Sequence, residues 1–399
     1  MASALRAFVQ CVPGVEGLLL RELAELGVGR RVRAEAGGVS LWAAGQRELW
    51  TLATQTLIAD AIRVRVGGTF RATNFEQLIN GTRRSVAPAL RAFAREPSAL
   101  DLRVRCKRSR LWHTDAVAQR VAETLSLGAR ERLAARGEED PPPLVLSMRL
   151  LRDEVEASIE AASTLHVRGC KPHATDSQLN ETVAAACVRA ALESVPDVPP
   201  AIWDPFCGSG TLLLEAALLF ARRRTGSALV GARLLTAERL PLARFAAHDG
   251  EGYAAFLRQA VASAEAPADP AVPRCRLYAS DASERAARAC AHNAQHALGE
   301  QGVTVLGALD FERAAALVPD NALVLANIPW RVHGPADAEA RLYARLGAVL
   351  RARARVGARV FVLSGNERFV QRSGCSWRAL VRCRVGGAPA HFLQLEDRR

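Results

Sequence analysis

The sequence predicts an α/β protein: an open, largely parallel sheet flanked by helices in its C-terminal half, behind two smaller α+β units. Three observations carry this expectation. Residues 201–217 read as a short apolar strand, a glycine loop and a helix that is apolar almost all round, the pattern of a βα unit buried in a sheet. Strand-like runs then alternate with helix-like stretches at 275–280, 303–306, 322–326 and 358–364. Ahead of them, residues 1–66 give the order β-α-β-β-α-β.

Composition narrows the class. A chain of 399 residues has room for two or three domains, and 49% hydrophobic with 24% charged residues is ordinary for a globular protein. The net charge of +12 points to an anionic partner, with nucleic acid the first candidate. Lys occurs only at Lys107 and Lys171, however, and the Arg and Ala excess is what a GC-rich coding bias produces, so the placement of charge matters more than its sum. The nine cysteines form no C-x-x-C pair and no Cys/His cluster, which argues against a zinc site and for a reducing compartment. No apolar run approaches membrane-spanning length. A strand-like segment within the first ten residues leaves little room for a leader, so cytoplasm is the expected location.

Residues 7–12 form the first strand, Pro13-Gly14-Val15-Glu16 turns the chain, and a helix over 17–26 buries leucines such as Leu19 and Leu23. Strands at 31–34 and 38–42, a helix at 46–54 and a strand at 61–66 complete a ferredoxin-like order. From 69 to 162 the pattern changes. A helix over 75–93, broken at Asn80-Gly81, leads to a strand at 100–107, a basic loop over 107–114 and a helix ending at Leu125. Residues 137–143 read as a loop, and 144–151 with 154–159 as a hairpin across Arg152-Asp153, a dipeptide with little turn preference.

Arg103, Arg105, Lys107, Arg108 and Arg110 set positive charge along one strand and its loop, with Trp112 beside them. Such an array can grip a phosphate backbone and stack on a base. A solvated edge strand, kept basic against edge pairing, would read the same. His113 is given no catalytic role, since a lone histidine is more often packed or hydrogen-bonded.

In the C-terminal half a helix begins after Asp176 or Ser177, either of which could cap it. Asp204 ends the central strand, and Gly208 and Gly210 permit a sharp turn and close approach of a ligand. The first-turn N–H groups from Thr211 then face the crevice. A dinucleotide fingerprint is not met, because Leu213 stands at its third glycine; a phosphate loop is not met, because no lysine follows Gly210. Arg222, Arg223 and Arg224 suit a helix C-terminus, and 225–273 reads as an insertion. Asp281 ends the next strand, placed to accept ribose hydroxyls, to cap the following helix, or both. The apolar strand 322–326 delivers Asn327-Ile328-Pro329-Trp330 into the cleft. A helix over 337–352, a strand over 358–364 and strands at 379–385 and 390–395, turned at Gly386-Gly387, complete the set.

Asp204-Pro205-Phe206-Cys207-Gly208-Ser209-Gly210-Thr211 resembles motif I of class I S-adenosylmethionine-dependent methyltransferases, the alternative being a glycine turn in an unrelated α/β sheet. More narrowly, the chain resembles RNA methyltransferases with a THUMP domain ahead of a Rossmann-like catalytic domain. Residues 107–117 are the most recognisable part of the THUMP-like segment, and Pro13-Gly14-Val15-Glu16 fits the ferredoxin-like domain before it. Residues 164–172 are similar to the family's Leu-His-Arg-Arg-Gly-Tyr-Arg connector, with departures at Val167, Cys170 and Lys171. Residues 178–186 are similar to motif X, which places Glu181 over the cofactor site. The implied organisation is a ferredoxin-like domain at 1–66, a THUMP RNA-binding domain at 67–163, a linker at 164–177 and a class I methyltransferase domain at 178–399.

The resemblance implies S-adenosylmethionine as cofactor, held by Glu181, Asp204, Pro205, Phe206, Gly208, Ser209, Gly210, Asp281, Asp310 and Asn327. Asp310 would accept from the adenine amino group while a neighbouring apolar side chain packs on the ring, although Asp310 reads equally as a helix cap. RNA is the implied partner, through Arg103, Arg105, Lys107, Arg108, Arg110 and Trp112, with no metal and no membrane. The acceptor is expected to be guanine N2 in large-subunit ribosomal RNA. The alternatives are the same modification in transfer RNA, and an RNA-binding assembly factor with a decayed site. Asn327, Pro329 and Trp330 are the catalytic candidates: Asn327 Oδ1 and the Ile328 carbonyl accept from the amine, Pro329 stiffens the turn, and Trp330 stacks on the base. The family has Asn-Pro-Pro-Tyr at these four positions, so Ile328 and Trp330 depart from it, and a tyrosine should replace Trp330 with little loss.

Overall fold

The computed structural model describes residues 5–96, 100–127, 143–175, 179–227, 240–265, 274–299, 302–332, 335 and 337–396. The elements up to residue 162 build one sheet. Strand β1 (Leu5–Gln10) is followed by helix α1 (Glu16–Glu25), strands β2 (Arg30–Glu35) and β3 (Gly38–Ala43), helix α2 (Gln46–Gln55) and strand β4 (Ala61–Arg65). A short β5 (Phe70–Arg71) precedes α3 (Phe75–Gly81), a π-helical turn over Thr82–Val86, α4 (Ala87–Leu90), β6 (Leu100–Lys107), α5 (Thr114–Leu125), β7 (Leu144–Leu151) and β8 (Glu154–Ala162). The strand order is β2-β3-β1-β4-β8-β7-β6, so the β4–β8 pairing carries a single sheet across residue 66.

Local chemistry accounts for several of these boundaries. The helix expected over 75–93 does change character at Gly81, but through a π turn rather than a break. The glycine is needed there for packing, since a Cβ would sit 2.1 Å from the Phe70 ring. The β7–β8 hairpin turns on Arg152 and Asp153, both at positive φ (53° and 68°), the backbone of a type I′ turn despite its unpromising residues. Alternation along β1, β4, β7 and β8 buries Ala7, Val9, Val64, Met148 and Ile159 on one face, against the helices.

The C-terminal sheet has the order β11-β10-β9-β12-β13-β15-β14. Its members are β9 (Ala201–Asp204), β10 (Arg276–Asp281), β11 (Thr304–Ala308), β12 (Leu323–Asn327), β13 (Val360–Ser364), β14 (Trp377–Val385) and β15 (Ala388–Leu395). The first five run parallel, and the last two form an antiparallel hairpin about Gly386 and Gly387, both at positive φ. The helices are α6 (Glu181–Glu193), α7 (Thr211–Thr225), α8 (Gly250–Glu265), α9 (Glu284–Leu298), α10 (Phe311–Ala315), α11 (Ala338–Arg355) and α12 (Arg368–Arg372). The candidate caps Asp176 and Ser177 lie outside the described residues; α6 is instead capped by Asn180, whose Oδ1 accepts from Thr182 N at 2.9 Å. The loop expected at 137–143 is described only at Pro143, and the insertion at 225–273 only over 225–227 and 240–265.

Charge buried between the two halves joins them. Arg222, expected to serve the α7 C-terminus, is 7% exposed and donates to Glu22 of α1 at 2.6 Å. Burial alone would push the Glu22 carboxyl up, but Arg222, the Thr56 hydroxyl and the Leu57 N–H outweigh it and hold the group below its usual range. Arg168, in the connector, donates to Glu215 of α7 at 2.6 Å and to the Leu57 carbonyl at 2.5 Å. The described part of the insertion docks back on the N-terminal half. Ala246 and Ala247 N–H donate to the carbonyls of Phe93 and Ala92, and Tyr253 and Phe256 pack on Trp50. These ties make the placement of one sheet against the other a property of the whole chain.

Candidate active site

The central strand β9 lies between β10 and β12, where the order of connection reverses, and in open α/β sheets ligands bind outside the carboxyl ends of strands at such a point. The residues singled out in the sequence collect there. Asp204 ends β9, Asp281 ends β10, Asp310 follows β11 and Asn327 ends β12.

The glycine loop is held by its own backbone. Gly210 N–H donates to the Cys207 carbonyl at 2.7 Å, Cys207 N–H to the Ser280 carbonyl at 3.0 Å, and Gly208 N–H to Asp281 Oδ2 at 3.0 Å. Gly208 (φ 53°) and Gly210 (φ 88°) both need the left-handed region. They differ in surroundings. A Cβ on Gly210 would meet Cys290 Sγ at 2.9 Å, whereas one on Gly208 would find only Thr175 Oγ1 at 3.8 Å. Gly210 therefore serves packing, and Gly208 leaves an open cradle. Pro205 and Ser209 are buried within the turn, and half-buried Phe206 lies with its ring 5.6 Å from that of Phe311.

The acids differ in role. Asp204 is 1% exposed, with Oδ1 accepting from Phe206 N–H at 3.0 Å. Burial, only partly offset by that bond and reinforced by nearby Asp281, pushes its carboxyl up to about 8. A folded-state value above the unfolded one means stability that is fully present below the unfolded value, near 4, and is lost as pH rises through 8. Asp204→Asn should therefore gain stability relative to the wild type between pH 5 and pH 8, as read by urea unfolding at both; no change in the difference would exclude a neutral Asp204. Asp281 accepts from Ser283 N–H and Gly208 N–H, keeping lone pairs for a ligand, but the helix after it is capped by Ser283 and not by Asp281. Asp310 is a helix cap, accepting from Arg313 N–H at 2.9 Å, while Phe311 beside it is buried under Phe206. The Cys290 thiol and burial push the Cys207 thiol up, so it stays neutral and packs.

Two residues to which the sequence assigned no role at the site complete the loop's surroundings. Asn293, fully buried on α9, accepts from His173 N–H and donates to the carbonyls of His173 and Ser209, tying the connector to the glycine loop. Lys171 Nζ lies 2.9 Å from Glu181 Oε1 and donates to Thr211 Oγ1 at 2.8 Å, so Glu181 arrives through the connector's lysine. Asn293 shares the buried face of α9 with Ala286, Ala289 and Cys290, and only the connector's path over the loop shows what its amide does there.

The turn after β12 is equally braced. Pro329 O accepts from the Tyr343 hydroxyl at 2.7 Å and Trp330 O from Asn366 Nδ2 at 3.1 Å, while Ile328 is 1% exposed in the core. Trp330 lies against Gly365, where a Cβ would come within 2.2 Å of the indole, and its Nε1–H donates to Asn327 Oδ1 at 3.1 Å. The departure from tyrosine is thus compensated by a glycine and engages the asparagine directly. The basic residues lie elsewhere. Arg103, Arg105 and Lys107 project from β6, the edge strand of the first sheet; Arg108 and Arg110 follow in its exposed loop, and Trp112 is 74% exposed. His113 accepts from Ala116 N–H as the cap of α5.

Sheet order, glycine loop and strand-end acids define a class I methyltransferase, whose cofactor is S-adenosylmethionine; the open cradle at Gly208 and the two strand-end carboxylates suit it. The chain belongs to the RMKL-like methyltransferase domain family, whose profile matches residues 168–385, and that of the RlmL ferredoxin-like domain matches residues 6–50. A protein of Synechocystis sp. named as an RNA methyltransferase is 27% identical, covering 98% of this chain and 96% of its own length. The ribosomal RNA large subunit methyltransferase K/L of Syntrophotalea carbinolica is 29% identical over 99% of this chain, which spans only 54% of that protein. Among solved structures, SMU.472, a methyltransferase complexed with SAH, superposes with a TM-score of 0.76 at 19% identity and full coverage of both chains. TrmN from Thermus thermophilus superposes at 0.66 and 20% identity, covering 99% of this chain and 100% of its own. These likenesses establish the fold. Among the described residues no helix is long and apolar enough to cross a membrane, and no group of side chains could hold a metal ion.

Proposed function

We propose that this chain methylates RNA, at the exocyclic N2 of a guanosine in large-subunit ribosomal RNA, in the cytoplasm. The observation that carries the reading is the braced turn Asn327–Trp330 at the end of the central strands, beside the glycine loop. The relatives named for RNA and large-subunit ribosomal RNA support the substrate class. The N-terminal half, read as a ferredoxin-like unit followed by a THUMP domain, supplies the basic surface.

Bound at the loop, S-adenosylmethionine supplies an electrophilic methyl group. Glu181, Asp204, Gly208, Asp281 and Asp310 are the residues that would hold it. The protein's task is then to position the acceptor and exclude water. A guanine amine is a poor nucleophile because its lone pair is delocalised into the ring. Asn327 Oδ1 and the Ile328 carbonyl can accept its N–H bonds and turn that lone pair toward the donor. The Trp330 indole N–H already orients Asn327 Oδ1, and its ring offers a stacking face.

Incubating the protein with labelled cofactor and unmodified ribosomal or transfer RNA, then identifying the product nucleoside by mass spectrometry, tests the proposal. N2-methylguanosine in ribosomal RNA supports it; the same nucleoside confined to transfer RNA moves the substrate, and none with either RNA refutes the activity. RNA affinity is also expected to depend on the β6 edge. Replacing Arg105, Lys107 and Arg108 with Gln should weaken binding and lower the salt slope by roughly two, as fewer counterions are released. An unchanged slope would place the RNA surface elsewhere.

A further inference from the structure

All helices of the N-terminal half that pack on its sheet cover the Ala7, Val9, Leu146 and Met148 face, leaving the opposite face open along most of its width. The registers place its side chains in transverse rows. Arg6 lies opposite Trp42, Phe8 opposite both Ser40 and Arg63, Arg63 opposite Glu160, and Arg149 between Glu156 and Arg105. Two rings and their cations are already paired: the Arg6 guanidinium lies 5.4 Å from the Trp42 ring centre and that of Arg65 5.7 Å from Phe8. Both rings are only part-buried.

Cations are in excess on this face. Glu160 faces Arg63 at 3.9 Å, and Glu156 is shared between Arg65 and Arg149, while Arg105 and Lys107 are exposed. Burial lowers the Arg63 guanidinium, Glu160 pulls it back up, and Arg105, Arg103 and Arg149 each lower it further. Arg63 Nε is buried with no hydrogen-bond partner among the described residues. It lies at a groove of about 630 Å³, lined also by Arg103, by the acids Asp60, Asp101 and Glu160, by the connector's His166, and by Asn180 at the start of α6. The groove thus leads from the open face to the helix that carries Glu181.

We propose that the open sheet face is a platform for single-stranded RNA, with bases stacking on Phe8 and Trp42, phosphates meeting the arginines, and the groove at Arg63 leading the strand toward the catalytic half. The charge selects a polyanion, and the part-buried rings beside those arginines select unpaired bases over a duplex whose bases are closed to stacking. This surface is separate from the exposed 108–112 loop. It rests on the RNA-methylating activity proposed above.

The full chain would be titrated, by fluorescence anisotropy, into a labelled single-stranded RNA and into the corresponding duplex, and compared with an Arg6→Gln/Arg149→Gln variant. The expectation is preference for the single strand, with a roughly tenfold loss and a shallower salt dependence in the variant. Photocrosslinking of the wild type to a 5-iodouridine-substituted single strand guards against a folding defect, and should label the peptides containing Phe8 or Trp42. Unchanged affinity of the variant, or crosslinks confined to other peptides, overturns the platform and leaves the methylation reading standing if the wild type still yields methylated RNA. A wild type that binds neither RNA and methylates neither overturns both.

Discussion

Gly208→Val is expected to abolish S-adenosylmethionine binding in a chain that still folds. The cost within the protein is confined to a branched residue at φ 53°, roughly 1–2 kcal/mol, because the new Cβ meets nothing nearer than Thr175 Oγ1 at 3.8 Å. That is small beside the 5–15 kcal/mol, or thereabouts, typical of a domain. Its methyl groups would fill the cradle that a ligand needs. Gly210→Val is the contrasting control. Its Cβ meets Cys290 Sγ at 2.9 Å, so overpacking of roughly 1–3 kcal/mol should appear as lost stability. Titration calorimetry with the cofactor, together with thermal unfolding, separates the two. Wild-type affinity in a folded Gly208→Val protein would remove the loop from the cofactor site.

Asn327→Ala should reduce methyl transfer by roughly 100-fold or more, with RNA affinity retained. An acceptor that strengthens its hold as the amine gains positive charge acts mostly in the transition state, so the loss belongs in the rate. The structure adds a second arm. Trp330 Nε1–H donates to Asn327 Oδ1, so Trp330→Phe keeps an aromatic face and removes the group that orients the acceptor. A smaller fall in single-turnover rate is expected, with RNA affinity near wild type, whereas Trp330→Ala should impair both. The expectation that tyrosine replaces Trp330 silently is revised accordingly, since a phenol places its hydroxyl differently from an indole N–H. Full activity in Asn327→Ala would mean that another group accepts from the amine.

Much of the site was legible because parallel sheets write it into short stretches. Buried strands are apolar runs, and each ends in the residue it presents to the crevice, so Asp204, Asp281 and Asn327 could be found by reading to the end of a run. The glycine loop was legible for the same reason: left-handed backbone and close approach restrict the residue type. Caps were read less well. Asp281 and Ser283 are both suitable residues two positions apart, and only the hydrogen bond from Ala286 N–H decides for Ser283.

By itself the sequence determined most of the strand and helix order, the strand-end acids, the glycine loop and the Asn327–Trp330 turn, because each depends on periodicity or backbone conformation within a few residues. It missed β5, α12 and the helix α8 inside the insertion. Tertiary structure alone decided what those residues touch. Arg222 reaches Glu22 across 200 positions, Asn293 joins the connector to the loop, Gly365 makes room for Trp330, and β4 pairs with β8 to make one sheet of the N-terminal half. Such partners leave no local trace: a buried charge or amide is satisfied by whatever the fold brings within hydrogen-bonding distance, and that distance is set by packing across the whole chain.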